Sequence, residues 1–152
     1  MFKNIALILA LISSSNIASV VAEPSSISLN DLVTNSFDAD KVVDLAYPVC
    51  SLNLDGDKKE GFYKYAEGEI CPVGRECTYS AIMKLNGNIT ILKQVSSDNG
   101  AEVFKNDDMT IVTKYTFIEK NNDRENGDVN AVIVIKTKNG EKKVNMSGYC
   151  GI

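Results

Sequence analysis

Met109-Thr110-Ile111-Val112-Thr113-Lys114-Tyr115-Thr116-Phe117 decides the fold class. Met109, Ile111, Thr113, Tyr115 and Phe117 share one face, while Thr110, Lys114 and Thr116 share the other. Successive side chains of a strand point to opposite sides, so a period of two marks a half-buried β-strand. The pattern continues in both directions. C-terminally, Val129, Ala131, Ile133 and Ile135 repeat it, and Asn139-Gly140 turns the chain into Val144, Met146, Gly148 and Cys150. N-terminally, Tyr79, Ala81, Met83 and Leu85 lead through Asn86-Gly87-Asn88 into Ile89–Val95. A short strand follows around Ala101–Phe104, then a polar turn over Lys105–Asp108. Asn-Gly tolerates the positive φ of a tight hairpin turn, and β-branched residues suit pleated, half-buried surfaces. The fold is read as mainly β: a single small disulfide-stapled domain. Its frame is an antiparallel six-stranded meander or small barrel over residues 79–150, with a short helical segment leading in at the N-terminal side.

Residues 23–49 form that lead-in, and the β domain is placed over 50–152. Asp38 or Asp40 is placed to cap a brief helix whose apolar positions are Val42, Val43, Leu45 and Ala46, ended by Pro48.

The first residues read as a cleavable secretory leader. Lys3 supplies a positive start, Ile5–Ile12 an unbroken apolar run, and Val20 and Ala22 the small residues before a cut ahead of Glu23. Eight apolar residues reach only about 12 Å as a helix, against roughly 30 Å of hydrocarbon, so a membrane anchor is not expected. The expected location is exported, periplasmic or extracellular, with no membrane insertion after cleavage.

Removing residues 1–22 leaves 130 of the 152 residues and takes away one charge, Lys3, so the net charge of −4 becomes −5. That length suits one core. An acidic chain without a basic run argues against nucleic acid. Histidine is absent. Ser-His-Asp and Cys-His constellations, His-ligated zinc and the commonest base near neutral pH are thereby removed.

Cys50, Cys71, Cys77 and Cys150 are an even set in a small chain read as exported, so two disulfides are expected. Structural zinc prefers closer pairs than Cys71 and Cys77. Spacing leaves three pairings open. A curled meander whose first and last strands meet favours Cys77–Cys150 with Cys50–Cys71. The rival is a tight Cys71–Cys77 loop, turned by Pro72 and Gly74, beside Cys50–Cys150.

Several stretches invite a site reading. Asn53–Glu60 begins like a calcium loop, but Lys58 and Lys64 stand where Gly and a bidentate Glu belong, so Asp55-Gly56 is read as a hairpin turn. Phe62, Tyr63 and Tyr65 are read as a strand with one aromatic packed on the core and its neighbours partly exposed, in preference to a binding surface. Asn121–Asp128 is a long polar connection between good strands, and such connections are where partners are met. Asn88-Ile89-Thr90 and Asn145-Met146-Ser147 match the N-glycan acceptor pattern.

Leu92-Lys93-Gln94-Val95-Ser96-Ser97-Asp98-Asn99-Gly100-Ala101 resembles a stretch found in small periplasmic inhibitors of lysozyme. There a Leu-x-Gln segment leads to a Ser- and Gly-containing loop in a compact disulfide-stapled antiparallel barrel. About a dozen residues are covered, with one inserted residue, and the aromatic and charged residues expected downstream differ. The resemblance implies inhibition ahead of other binding roles, and it assigns no inhibitory residue at Ser96, Ser97 or Lys114.

The expected function is therefore that of a small exported, non-catalytic binding protein that neutralises another protein, as a hydrolase inhibitor or immunity-type protein. Its candidate partner-contact loops are Ser96, Ser97, Asp98 and Asn99, and Asn122, Asp123, Arg124 and Glu125. No catalytic residue, metal or cofactor is assigned, and the oligomeric state is left open. The alternatives are a hydrolase using two carboxylates and an envelope or surface structural component. Against the latter, Lys114, Lys136, Lys142 and Lys143 would oppose edge-to-edge pairing.

Overall fold

Alternation along the chain becomes inside and outside of a closed sheet. The computed structural model describes residues 29–42, 48–68, 71, 74–118 and 126–151. The leader with its cleavage region, and Asn122–Glu125, lie outside these residues. The strands are β1 (Thr34–Asn35), β2 (Pro48–Leu54), β3 (Glu60–Ala66), β4 (Tyr79–Leu85) and β5 (Asn88–Asp98). After them come β6 (Ala101–Lys105), β7 (Met109–Phe117), β8 (Asn126–Thr137) and β9 (Gly140–Gly151). From β2 onward each strand pairs antiparallel with the next, and β9 returns to pair with β2. Eight strands thus close an up-and-down barrel, which removes sheet edges altogether.

All six strands expected over 79–150 are present as β4–β9. Two corrections follow from the remaining pair. The barrel has eight strands rather than six, because the β2–β3 hairpin, turned at Asp55-Gly56, inserts between β4 and β9. The first and last of the six are therefore not neighbours, and the favoured Cys77–Cys150 and Cys50–Cys71 pairing is overturned. Cys50 lies directly opposite Cys150, Cα–Cα 4.1 Å, and the two are bonded. Cys71 bonds Cys77 across a six-residue separation. Strand register decides the outcome: the hairpin brings Cys50, not Cys77, to the end of β9.

The barrel interior is filled. Leu52, Phe62, Leu92, Phe104, Ile111 and Ile133 are fully buried, and the Phe62 and Phe104 rings meet edge to face at 5.8 Å. Closure requires Gly148. A Cβ there would stand 2.1 Å from the Ser51 carbonyl oxygen and 2.8 Å from the Leu52 Cα, so only glycine lets β9 lie against β2.

The lead-in segment does two jobs. Near β1, Leu32 is buried in the core and plugs one barrel end, and the Lys142 ammonium donates to its carbonyl oxygen. The Asn86 side-chain oxygen accepts the Val33 N–H at 2.6 Å, and that of Asn35 accepts the Gly87 N–H at 2.8 Å. Further along, Phe37 and Ala39 cover Tyr63, Tyr65 and Ile82 on the outer face of β3 and β4. Where a helix is expected, a single 3-10 turn spans Ala39–Lys41. Asp38 precedes it without capping it, its carboxylate taken instead by Lys41 and Lys59. Val43, Leu45 and Ala46 lie outside the described residues.

Candidate functional site

The end opposite Leu32 stays open. A cleft of about 320 Å³ lies in the barrel mouth, walled by Tyr79, Gln94, Ser97, Tyr115, Phe117 and the Cys50–Cys150 bridge. Its charged members come from strands far apart in sequence. Lys64 points inward from β3 and pairs with Glu102 from β6, and their side chains are only 9% and 12% exposed. Tyr115 donates its hydroxyl to the other Glu102 oxygen at 2.9 Å. The Lys64 ammonium also lies 4.5 Å from the centre of the Tyr79 ring, within reach of a cation–π contact.

Lys64, Glu102 and Tyr115 hold one another in place. Burial, and then the charge of Glu102, pushes the Tyr115 hydroxyl well above its ordinary pKa, so it remains a neutral donor. Glu102 accepts from Lys64 on one oxygen and from Tyr115 on the other. Buried ion pairs recover their desolvation cost poorly, and apolar side chains of similar volume commonly stabilise as well or better. Barrel stability alone thus does not call for charge at this place.

The sequence candidates divide. Ser97 lines the mouth. Ser96 and Asp98 sit at the end of β5, paired with Val103 and Ala101. The partner-contact loop expected over Ser96–Asn99 is instead the end of a long strand and a tight hairpin. Asn99 and Gly100 form its turn with φ of 51° and 73°, the left-handed values that Asn and Gly tolerate best. Of the connection expected over Asn121–Asp128, Asn126, Gly127 and Asp128 belong to β8.

The chain matches no family model, no curated protein and no solved structure.

The reading of the site thus rests on its own geometry. Lys64, Glu102, Tyr79 and Tyr115 had escaped the sequence reading. Two signals pointed to them: Lys64 interrupts an aromatic run, and Glu102 interrupts Ala101–Phe104. In the calcium-like stretch, Asp57 organises the β2–β3 turn. One oxygen accepts the backbone N–H groups of Lys58 and Lys59, and the other accepts the Ser36 hydroxyl at 2.5 Å. The Ser36 hydrogen bond, followed by those two backbone bonds, holds its carboxyl below the ordinary range. Both glycan-pattern residues, Asn88 and Asn145, are exposed.

Proposed function

We propose that the chain is a small, exported, non-catalytic binding protein whose barrel mouth receives a protruding group of a partner protein and thereby neutralises that partner. The observation carrying this reading is the pre-organised mouth. Its walls are strands rather than mobile loops, a disulfide clamps its rim, and its ionic groups are already oriented by one another. Phe104 and Leu92 fill the barrel interior, so the cleft suits a single side chain or chain end rather than a long ligand. The two disulfides suit an oxidising compartment, in keeping with the leader-like start of the sequence. Glu102 favours binding over two-carboxylate hydrolysis. It is held by Lys64 and Tyr115, and among the described lining residues no second carboxyl faces it.

Titration of purified cell-wall hydrolases with the oxidised protein lacking residues 1–22 tests the proposal. We expect stoichiometric loss of activity for at least one enzyme, relieved by Ser97→Arg, which fills the mouth with a cation. Full activity of every hydrolase at saturating protein would overturn the reading.

A further inference from the structure

We propose that the outer wall formed by β5–β8 is a second docking surface, made for an acidic protein. Cross-strand register places Ser96, Val103, Val112, Val134 and Lys143 in one row across five strands. The three valines are half-buried, and Val95, bulged at the β5 end of the row, is 55% exposed. Beside this row runs another, Lys93, Lys105, Thr110 and Lys136, and beyond it on the other side stands Lys114. An apolar stripe of three valines roughly 10 Å wide, at the usual strand spacing, is thus framed by lysines.

This frame needs a reason. The chain as a whole is acidic, net −4, so the patch runs against the overall sign. Lys93 and Lys105 are directly opposed across the β5–β6 ladder, an arrangement of like charges that destabilises a sheet. Among the described residues, Lys93, Lys105, Lys114 and Lys143 carry no ion pair. Lys136 has a long one, 3.8 Å, with exposed Glu141; the other acids on the outer face of these strands are Asp98 at the end of β5 and Asp128 at the start of β8. Protection of sheet edges does not explain the lysines, because the barrel closes and has none. Unneutralised lysines around an apolar centre reproduce the plan of a protein interface, with its dry middle and charged rim, and they select an acidic partner. The long lysine stems also reach beyond the three half-buried valines, so the middle of the stripe is recessed and Val95 alone of these valines stands out at its margin. A bilayer needs apolar groups that protrude. The surface goes beyond the mouth, and its occupancy does not require that the mouth be filled.

The test is amide chemical-shift mapping of the oxidised protein against three probes. These are a soluble peptide of alternating Glu and Leu, phosphatidylcholine vesicles carrying phosphatidylglycerol, and rising concentrations of the protein itself. We expect the peptide to shift Lys93, Val103, Val112 and Val134 and to bind less tightly as salt rises. The double variant Lys93→Glu/Lys105→Glu should weaken binding by about tenfold or more, while Lys58→Glu/Lys59→Glu on the β2–β3 turn leaves it unchanged. Thermal melts of both variants verify folding; the first exchanges one directly opposed like-charge pair for another, so its melt should stay close to that of the parent. Ser97→Arg should leave peptide binding intact, which separates failure of this proposal from failure of the mouth. Tighter binding to the vesicles, self-association through the same residues, or indifference to the charge reversal would each overturn it.

Discussion

The two ends of the barrel solve the same problem in opposite ways. Both must terminate a core of Phe, Leu, Ile and Met. One end is stoppered by Leu32, delivered by a segment that Asn35 and Asn86 tie down through side-chain hydrogen bonds. The other is left concave, and its side chains include an ion pair, a tyrosine hydroxyl and a disulfide. Apolar closure is the cheaper solution, since it buries methylenes and leaves no charge to desolvate. The open end therefore carries the mark of a requirement other than stability.

Removal of the rim clamp should give the largest effect in this comparison. Cys50→Ala/Cys150→Ala opens a link across 100 residues, and loop-closure entropy puts its loss at about 4.7 kcal/mol. Cys71→Ala/Cys77→Ala, with a separation of 6, should cost about half as much. Denaturant unfolding of the two variants checks the ordering, and equal losses would show that chain entropy does not govern the clamp.

Next in size is the charged floor. Lys64→Met strands Glu102 in the mouth and should cost about 3 kcal/mol, whereas Lys64→Met/Glu102→Leu should recover most of that loss. A double variant as unstable as the single one would mean that the pair holds the barrel together, and the contrast between the ends would collapse. At the stoppered end, Leu32→Ala should cost about 2 kcal/mol and leave any hydrolase inhibition intact. A loss of inhibition with an unchanged melt would move the functional surface to that end.

The smallest effect concerns pH. Because burial raises the folded-state pKa of Tyr115, the folded barrel prefers the protonated hydroxyl. Its contribution is fully present below the unfolded value of about 10 and is lost as pH rises through the folded value. Stability should thus decline in the alkaline range, and Tyr115→Phe should flatten that decline at the cost of about 1 kcal/mol near neutrality for the lost bond to Glu102. An alkaline profile unaltered by the substitution would place the titration elsewhere.

Much of this architecture was legible in the residues themselves. β5–β9 each keep an inner apolar face and an outer face open to solvent, so their alternation survives in the sequence, whereas in β4 the outer-face Ser80 and Ile82 are buried as well. β3 does not alternate. Phe62 points into the barrel, but Tyr63 and Tyr65 are buried too, beneath Phe37 and Ala39, and a strand covered on both faces loses its period of two. With β3 obscure, the hairpin marked by Asp55-Gly56 has no place in the six-strand frame over 79–150, and the cysteine pairing depends on its β2 strand lying beside β9.

What the sequence by itself determined is the chemistry that local pattern can encode: a mainly β domain, its tight Asn-Gly turns, an even set of cysteines and the absence of histidine. Only the tertiary structure decided which strands close the barrel, which cysteines meet, and that Lys64 reaches Glu102 across 38 positions. Side-chain alternation is a property of neighbours along the chain, whereas register and closure depend on contacts that no local window contains. The mouth belongs to the second kind, because every charged group in it borrows its partner from a distant strand.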